Sequence, residues 1–373
     1  MSKRDVLVIG GGVAGMAFAI RMREQGRNVD LVEIDPQWRV YGAGISITGP
    51  TFRAFKRLGV LPELLSRGFS TSAPARICTP AGHVVAEVPA TPIEVGLPVV
   101  GGIMRPVLHR ILSERTRSSG VNVRLGVHVT TLEAIQDGVR ATSSDGQTAR
   151  YHFVGAAGGA FSKTRTLLFP ELEAPRYTGQ YCWRVVADRP AQIDRPHFFM
   201  AGPITAGLMP VSPEQMYMFL LQPESNKVHV EAHEAVARLK SLMAPFSGVL
   251  GELREGLQPE SVVNCRALDA ILVPQPWHRG RVVLIGDAAH ATTPHLASGA
   301  GISVEDALVL SEILSTESDV EAAFVRFTQR RWERCRMVVE NSVQIGRMQQ
   351  THASPESLKE LMAISERQLT AEI

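Results

Sequence analysis

Val6-Leu7-Val8-Ile9-Gly10-Gly11-Gly12-Val13-Ala14-Gly15 opens the chain after only a few residues. Four apolar residues in a row make a short buried strand, and Gly10 allows the tight turn out of it. Gly12 has no side chain, so a pyrophosphate can approach the backbone, while Gly15 lets the following helix pack close to the sheet. Unpaired N–H groups in that helix's first turn, together with its dipole, then hold phosphate charge. Ala14 to Glu24 carries Met16, Ala17, Ala19, Ile20 and Met22 among few polar residues, as a mostly buried helix does, and Gly26 stops it. Val29 to Val32 reads as the second strand, and Glu33 at its end is placed to accept hydrogen bonds from a ribose. A Gly-rich turn without function is the bland alternative. Strand, helix, second strand and terminal acid in this order favour a dinucleotide site.

A second segment of the same kind lies far downstream, Arg281-Val282-Val283-Leu284-Ile285-Gly286-Asp287-Ala288-Ala289-His290. Again a buried strand runs into glycine, followed here by an acid and by small residues that permit close approach. From Ile302 to Leu314 the apolar residues Ile302, Val304, Ala307, Leu308, Leu310 and Leu314 mark a helix. Gly299, Ala300 and Gly301 fall at its N-terminus, where free N–H groups can stabilise an anion. The nucleotide-binding domain is therefore discontinuous in sequence.

Between these anchors the pattern changes. Residues 73–97 and 176–222 hold short alternating or aromatic-rich runs, among them Tyr181-Cys182-Trp183-Arg184-Val185-Val186 and Gln215-Met216-Tyr217-Met218-Phe219-Leu220, which read as strands of an antiparallel sheet. Residues 121–154 predict further strands, with turns at Asp137-Gly138 and Asp145-Gly146. Helices are expected over Pro106 to Ser118, 227–255 and 319–350. His352 to Ile373 reads as a polar helix without legible chemistry.

With 373 residues, 45% hydrophobic and 20% charged, the chain can bury a large core and is long enough for about two domains. A net charge of +2 offers no field for nucleic acid. Arg326, Arg330, Arg331, Arg334 and Arg336 cluster late in the chain, but Glu321, Glu333 and Glu340 intersperse them, so a solvated face is the better reading. Cys78, Cys182, Cys265 and Cys335 are widely spaced and suit thiols in a reducing compartment. No stretch reads as a signal or a membrane span, so a cytoplasmic protein without a membrane partner is expected.

Taken together, Gly10-x-Gly12-x-x-Gly15, Glu33, Trp38-Arg39-Val40-Tyr41-Gly42-Ala43-Gly44-Ile45, Met104-Arg105-Pro106-Val107-Leu108 and Gly286-Asp287-Ala288-Ala289-His290 resemble the single-component FAD-dependent aromatic hydroxylases of the salicylate and 6-hydroxynicotinate monooxygenase type. The similarity runs from Val6 to about Ser342 and is most specific over Gly286 to Leu310. It implies an α/β fold: a discontinuous Rossmann-like FAD-binding domain (1–72, 98–175 and 270–345), an antiparallel-sheet substrate domain (73–97 and 176–269) and a C-terminal helical tail (346–373). Gly10, Gly12, Ala14 and Gly15 would hold the FAD pyrophosphate, and Glu33 the adenosine ribose. Arg39 would lie near the adenosine end and Arg105 near the ribityl and pyrophosphate, although either alone could be a surface ion-pair residue. Val129 matches a strand position whose backbone meets the adenine. Asp287 matches the acid of the ribityl and pyrophosphate region, with a helix N-cap as its bland reading. Pro294 would sit over the flavin ring, and Gly299, Ala300 and Gly301 would offer N–H groups to its pyrimidine edge.

One departure stands out. The family's Asp-Gly pair, which helps organise cofactor and nicotinamide binding, is here Gly158-Gly159. This puts efficient use of NADH or NADPH in question and opens a role for an external flavin reductase.

The resemblance implies hydroxylation of a small aromatic substrate through a flavin C4a-hydroperoxide, with NADH or NADPH as reductant and O2 as co-substrate; no protein nucleophile or metal is expected. His295 and His197 are the candidates for a base toward the substrate hydroxyl, against the alternative that both are packed residues. Tyr181, Arg184 and Tyr217 are candidates for the substrate pocket, Arg184 pairing with a carboxylate. Alternation puts Tyr181 and Trp183 on one face of the strand and Cys182 and Arg184 on the other, so only one pair can point inward. A flavin oxidase or dehydrogenase and a non-catalytic FAD-binding accessory protein are the rival functions. A homodimer is left open.

Overall fold

The computed structural model describes residues 4–40, 42–89, 91–351 and 353–373. Met1 to Lys3, Tyr41 of the quoted motif, Ala90, and His352 at the head of the polar tail lie outside the described residues.

In chain order, β1 (Arg4–Ile9), α1 (Val13–Glu24) and β2 (Val29–Glu33) form the first unit, followed by β3 (Gly44–Thr48), α2 (Gly49–Arg57), α3 (Leu61–Arg67), β4 (Phe69–Thr71), β5 (Ala75–Cys78) and β6 (Val84–Val88). Then come β7 (Val100–Met104), α4 (Arg105–Ser118), β8 (Asn122–Leu125), β9 (Val129–Ile135), β10 (Gly138–Ser143), β11 (Thr148–Ala156) and α5 (Lys163–Leu168). The middle of the chain forms β12 (Arg176–Asp188), β13 (His197–Ala201), β14 (Ile204–Pro210), β15 (Gln215–Pro223), α6 (Ala232–Leu242), α7 (Gly248–Gly256) and β16 (Asn264–Ala270). It closes with β17 (His278–Arg279), β18 (Val282–Leu284), α8 (Asp287–His290), a 3-10 turn at Pro294–Leu296, α9 (Gly299–Thr316), α10 (Val320–Gln350) and α11 (Pro355–Thr370).

Among the described residues, an eight-stranded sheet carries the parallel order β18-β11-β1-β2-β8, with β17 at one edge and the β9–β10 hairpin attached to β11. A parallel β1–β2 pair needs a crossover, and α1 supplies it. This helix is apolar on nearly every side and buries Ala14 to Ile20 and Met22, because the sheet covers one face and α9 another. Each large side chain buried this way contributes roughly 1.5–3 kcal/mol.

The strands at residues 75–88 and 176–270 share a separate seven-stranded sheet, ordered β16-β12-β15-β14-β13-β5-β6 and antiparallel except for the β13–β5 pair. One face carries Tyr181, Trp183, Val185, Met218, Leu220 and Phe199 into a core with Leu239, Met243 and Phe246 of the α6–α7 region. The opposite face carries Tyr217 with Met209, against Ala43 and Met104 of the cofactor side. A three-stranded sheet, β3-β7-β4, lies at this junction. The sequence boundary at 345/346 falls inside α10, which runs unbroken to Gln350, so a separate tail starts only after that helix. No described helix is long and apolar enough to cross a membrane.

Candidate functional site

The first glycine turn is built as its spacing requires. Gly10 has φ +106°, and a Cβ there would stand 2.4 Å from the Ala157 carbonyl oxygen. A Cβ on Gly15 would stand 1.9 Å from the Gly10 oxygen, so helix and turn touch through bare backbone. Gly12 is exposed, and a Cβ there would meet nothing within 4 Å. As the N-cap of α1 it makes no side-chain capping bond, which leaves the first amides of the helix free for an anion.

Glu33 accepts the Gly11 N–H at Oε2, 2.7 Å, and the Asp35 N–H at Oε1, 2.9 Å. Each carboxylate oxygen keeps a further lone pair for a ribose hydroxyl. Sequence reasoning missed Trp38, whose indole N–H donates to the Gly11 carbonyl at 2.8 Å and covers the outside of the turn. Arg39 is exposed and paired with Asp35 at 3.0 Å, the ion pair its bland reading describes. It also borders a 410 Å3 groove with Trp38, His109, Arg110 and Arg117, whose cationic walls suit a phosphate-bearing adenosine end. Val129 starts β9 and is buried beside this region, where the Val127 N–H donates to the Glu33 carbonyl at 3.0 Å.

The second turn meets the first. Gly286 has φ +60°, and a Cβ on it would stand 2.6 Å from the Ala14 Cβ. Asp287 follows at the head of α8 and opens onto a cleft: its surface is exposed, yet protein surrounds it and desolvation raises its carboxyl above the ordinary carboxylate range. Arg105, at the start of α4, faces the same cleft. Desolvation lowers its pKa, the nearby Arg184 guanidinium lowers it further, and Tyr217 and Asp287 oppose both effects. Asp287 and Arg105 from the cofactor side thus meet Arg184 and Tyr217 from the sheet.

Tyr217 is buried by packing on Gly44, where a Cβ would stand 2.2 Å from the Tyr217 ring. Its hydroxyl lies 2.7 Å from the Ser46 hydroxyl. Burial pushes the phenol pKa up, so the group stays a neutral donor. Ser46 was missed because nothing in its neighbourhood of sequence points across to β15.

Pro294 is exposed on the 3-10 turn. Gly299, Ala300 and Gly301 form the first turn of α9, where Ser298 makes no capping bond to their amides. A Cβ on Gly301 would stand 2.4 Å from Thr51 Oγ1, so α9 approaches α2 only through glycine. The N–H groups of this turn are placed to stabilise negative charge. Uncapped helix starts, a glycine cradle open at Gly12, and the opposite charges of Arg105 and Asp287 acting on each other together fit a flavin dinucleotide.

Three candidates are corrected by packing. Tyr181 lies on the far face of the sheet, and its hydroxyl donates to the Val228 carbonyl at 2.5 Å. His197 shares that face: its Nδ1–H donates to the Arg195 carbonyl at 2.8 Å, and its ring stacks on Phe199. His295 packs on Gly346 of α10, where a Cβ would stand 2.9 Å from its ring, with Nδ1 2.9 Å from Thr293 Oγ1. Burial pushes its pKa down to about 4, so it stays neutral near pH 7 and is only a weak base.

Gly158 is exposed at the mouth of the β11–α5 loop, and a Cβ there would lie 2.8 Å from Ser162 Oγ. That oxygen accepts the Arg165 N–H at 3.2 Å and caps α5. An acid at 158 would require Ser162 to turn.

The family described as FAD binding domain matches residues 3–342. The aurachin C monooxygenase/isomerase of Stigmatella aurantiaca is 31% identical over 355 residues, covering 92% of this chain and 89% of its own. The 2-heptyl-3-hydroxy-4(1H)-quinolone synthase of Pseudomonas aeruginosa is 29% identical over 358 residues, covering 92% and 89%. The crystal structure of Klebsiella pneumoniae HpxO complexed with FAD and uric acid superposes with a TM-score of 0.84 at 24% identity, over 99% of this chain and 93% of that one, a likeness of fold.

Proposed function

Because the chain belongs to the FAD-binding family of flavin-dependent monooxygenases, we propose that it hydroxylates a small, electron-rich aromatic or heteroaromatic ring, with NADH or NADPH as reductant and O2 as oxygen source. The observation that carries this reading is the meeting of Arg105 and Asp287 with Arg184 and Tyr217 across one cleft between the two sheets. The quinolone synthase and the uric acid complex name heteroaromatic rings, which supports the same substrate class here. Four free thiols fit a reducing cytoplasm.

Flavin, when bound, supplies reduction and oxygen activation; the side chains bind, orient and shield. Arg184 pairs with an anionic group of the substrate. Tyr217, held by Ser46, donates a hydrogen bond to the ring oxygen and fixes its orientation. Met209 and Val211 close the apolar wall beside Tyr217 and exclude water. The α9 amides would stabilise negative charge on the bound cofactor. Gly12 leaves its backbone open to the cofactor, while Gly15 and Gly301 let the two helix starts pack against Gly10 and Thr51.

The test is turnover of phenolic and hydroxypyridine carboxylates under isotopically labelled O2. One labelled oxygen atom is expected in the product. Complete turnover without label supports instead a flavin oxidase or dehydrogenase, the second reading, which Gly158 in place of the family acid favours.

A further inference from the structure

The C-terminal helix carries no residue of the cleft, yet an unbroken run of polar contacts ties it to the second glycine turn. The Gly286 N–H donates to Asp306 Oδ2 at 2.8 Å, and His290 Nε2 lies 2.6 Å from the same oxygen. Arg331 donates through Nε to Asp306 Oδ1 at 2.9 Å, and its Nη2 is ion-paired with Glu305 at 2.9 Å. Glu305 then receives both arms of Arg334, each at 2.8 Å. The same Arg334 donates to the carbonyls of Gln368 and Leu369 at 2.8 and 2.7 Å. From the other side, Arg53 of α2 donates to the carbonyls of Thr370 and Ala371 at 2.9 and 2.6 Å. Its helix begins where Thr51 touches Gly301.

Each link has a physical reason to be all or none. Asp306, His290, Arg331 and Glu305 are essentially inaccessible to water, so losing one partner leaves a buried charge uncompensated. The last carbonyls of a helix lack partners of their own, and the negative end of the α11 dipole attracts the two guanidinium groups. The two Asp306 oxygens are held by the turn and His290 on one side and by Arg331 and the Cys335 thiol on the other.

We infer that Arg334 and Arg53 are positioning residues for the flavin site, clamping the end of α11 so that Glu305, Arg331 and Asp306 hold the Gly286–Asp287 turn and the start of α9 in their binding geometry. FAD binding and docking of α11 are then linked, and linkage is reciprocal: what strengthens one strengthens the other by the same factor. The inference rests on FAD binding alone and is independent of the substrate.

The experiment uses the full-length chain. FAD affinity is measured by fluorescence titration of the apoprotein for wild type, Arg334→Gln, Arg53→Gln and Arg336→Gln, and hydrogen exchange of residues 355–373 is followed with and without saturating FAD. Arg336 sits on the same helix but, among the described residues, pairs with exposed Glu333 and Glu340 alone. The dissociation constant is expected to rise about tenfold in the first two variants, a typical coupling, and to stay unchanged in Arg336→Gln. FAD is expected to slow exchange across α11 in the wild type. Unchanged affinity in Arg334→Gln and Arg53→Gln, or wild-type exchange in α11 that ignores FAD, would overturn the inference. The wild-type exchange comparison decides the matter even if a variant fails to fold.

Discussion

A methyl group placed on Gly286 would stand 2.6 Å from the methyl group of Ala14, although the two residues lie far apart in sequence. Ala14 is in the first turn of α1 and Gly286 ends the strand before α8. Their contact closes two glycine turns into one cradle. Parallel pairing of β1 with β11, and of β11 with β18, brings them together.

Gly286→Ala tests that contact. The residue holds φ 60° and ψ −145°, a region nearly reserved for glycine, and a side chain there costs about 1–3 kcal/mol in strain before the collision with Ala14 is added. Apoprotein melting temperature should fall, and the FAD dissociation constant should rise by about tenfold or more. A variant that binds FAD like the wild type would show that the two turns need not touch.

Arg184→Met should raise KM for carboxylate-bearing substrates by roughly 10- to 150-fold, the equivalent of a charge-assisted hydrogen bond worth about 1.5–3 kcal/mol. FAD content should stay at the wild-type level. Equal KM values for the two proteins would remove Arg184 from the substrate pocket.

Gly158→Asp should trade stability for electron entry. Its Cβ would crowd Ser162 Oγ at 2.8 Å, and losing that helix cap costs about 1 kcal/mol. Stopped-flow reduction of the bound flavin by NADH or NADPH should nonetheless accelerate. If the rate does not change, the missing acid is not what limits reduction.

Acid stability should report on His295. Its folded pKa is pushed down to about 4 by burial, against roughly 6.5 in an unfolded chain. Between those values the unfolded chain binds the proton and the folded one does not, so stability falls as pH drops from 6.5 toward 4. The penalty is fully developed below the folded pKa and is on the order of 3 kcal/mol. His295→Asn should flatten this limb in denaturant titrations relative to the wild type. Parallel acid limbs would mean that the ring is solvated.

How much was legible depends on the range of the interaction. The glycines at 10, 12 and 15, Glu33 and the Gly286-Asp287 pair were readable because strand, turn and helix start are local, and the turn geometry admits few residue types. The choice between the faces of β12 was not: alternation separates Tyr181 from Arg184, but only the docking of α6 and α7 decides which face becomes core. His295 looked like a base beside Pro294 because its neighbour Gly346 is remote in sequence. Ser46, Trp38 and the Arg334–Glu305 fork are invisible for the same reason.

Sequence alone thus determined the two glycine turns and their fitness for a dinucleotide, since each follows from backbone constraints spanning a few residues, while the resemblance to flavin-dependent hydroxylases named the cofactor. Tertiary structure alone decided which side chains share the cleft, which histidines are desolvated and silent, and that the chain's end reaches back to the flavin turn. Burial and charge pairing are properties of what lies across a gap, and strand order and helix packing set that distance.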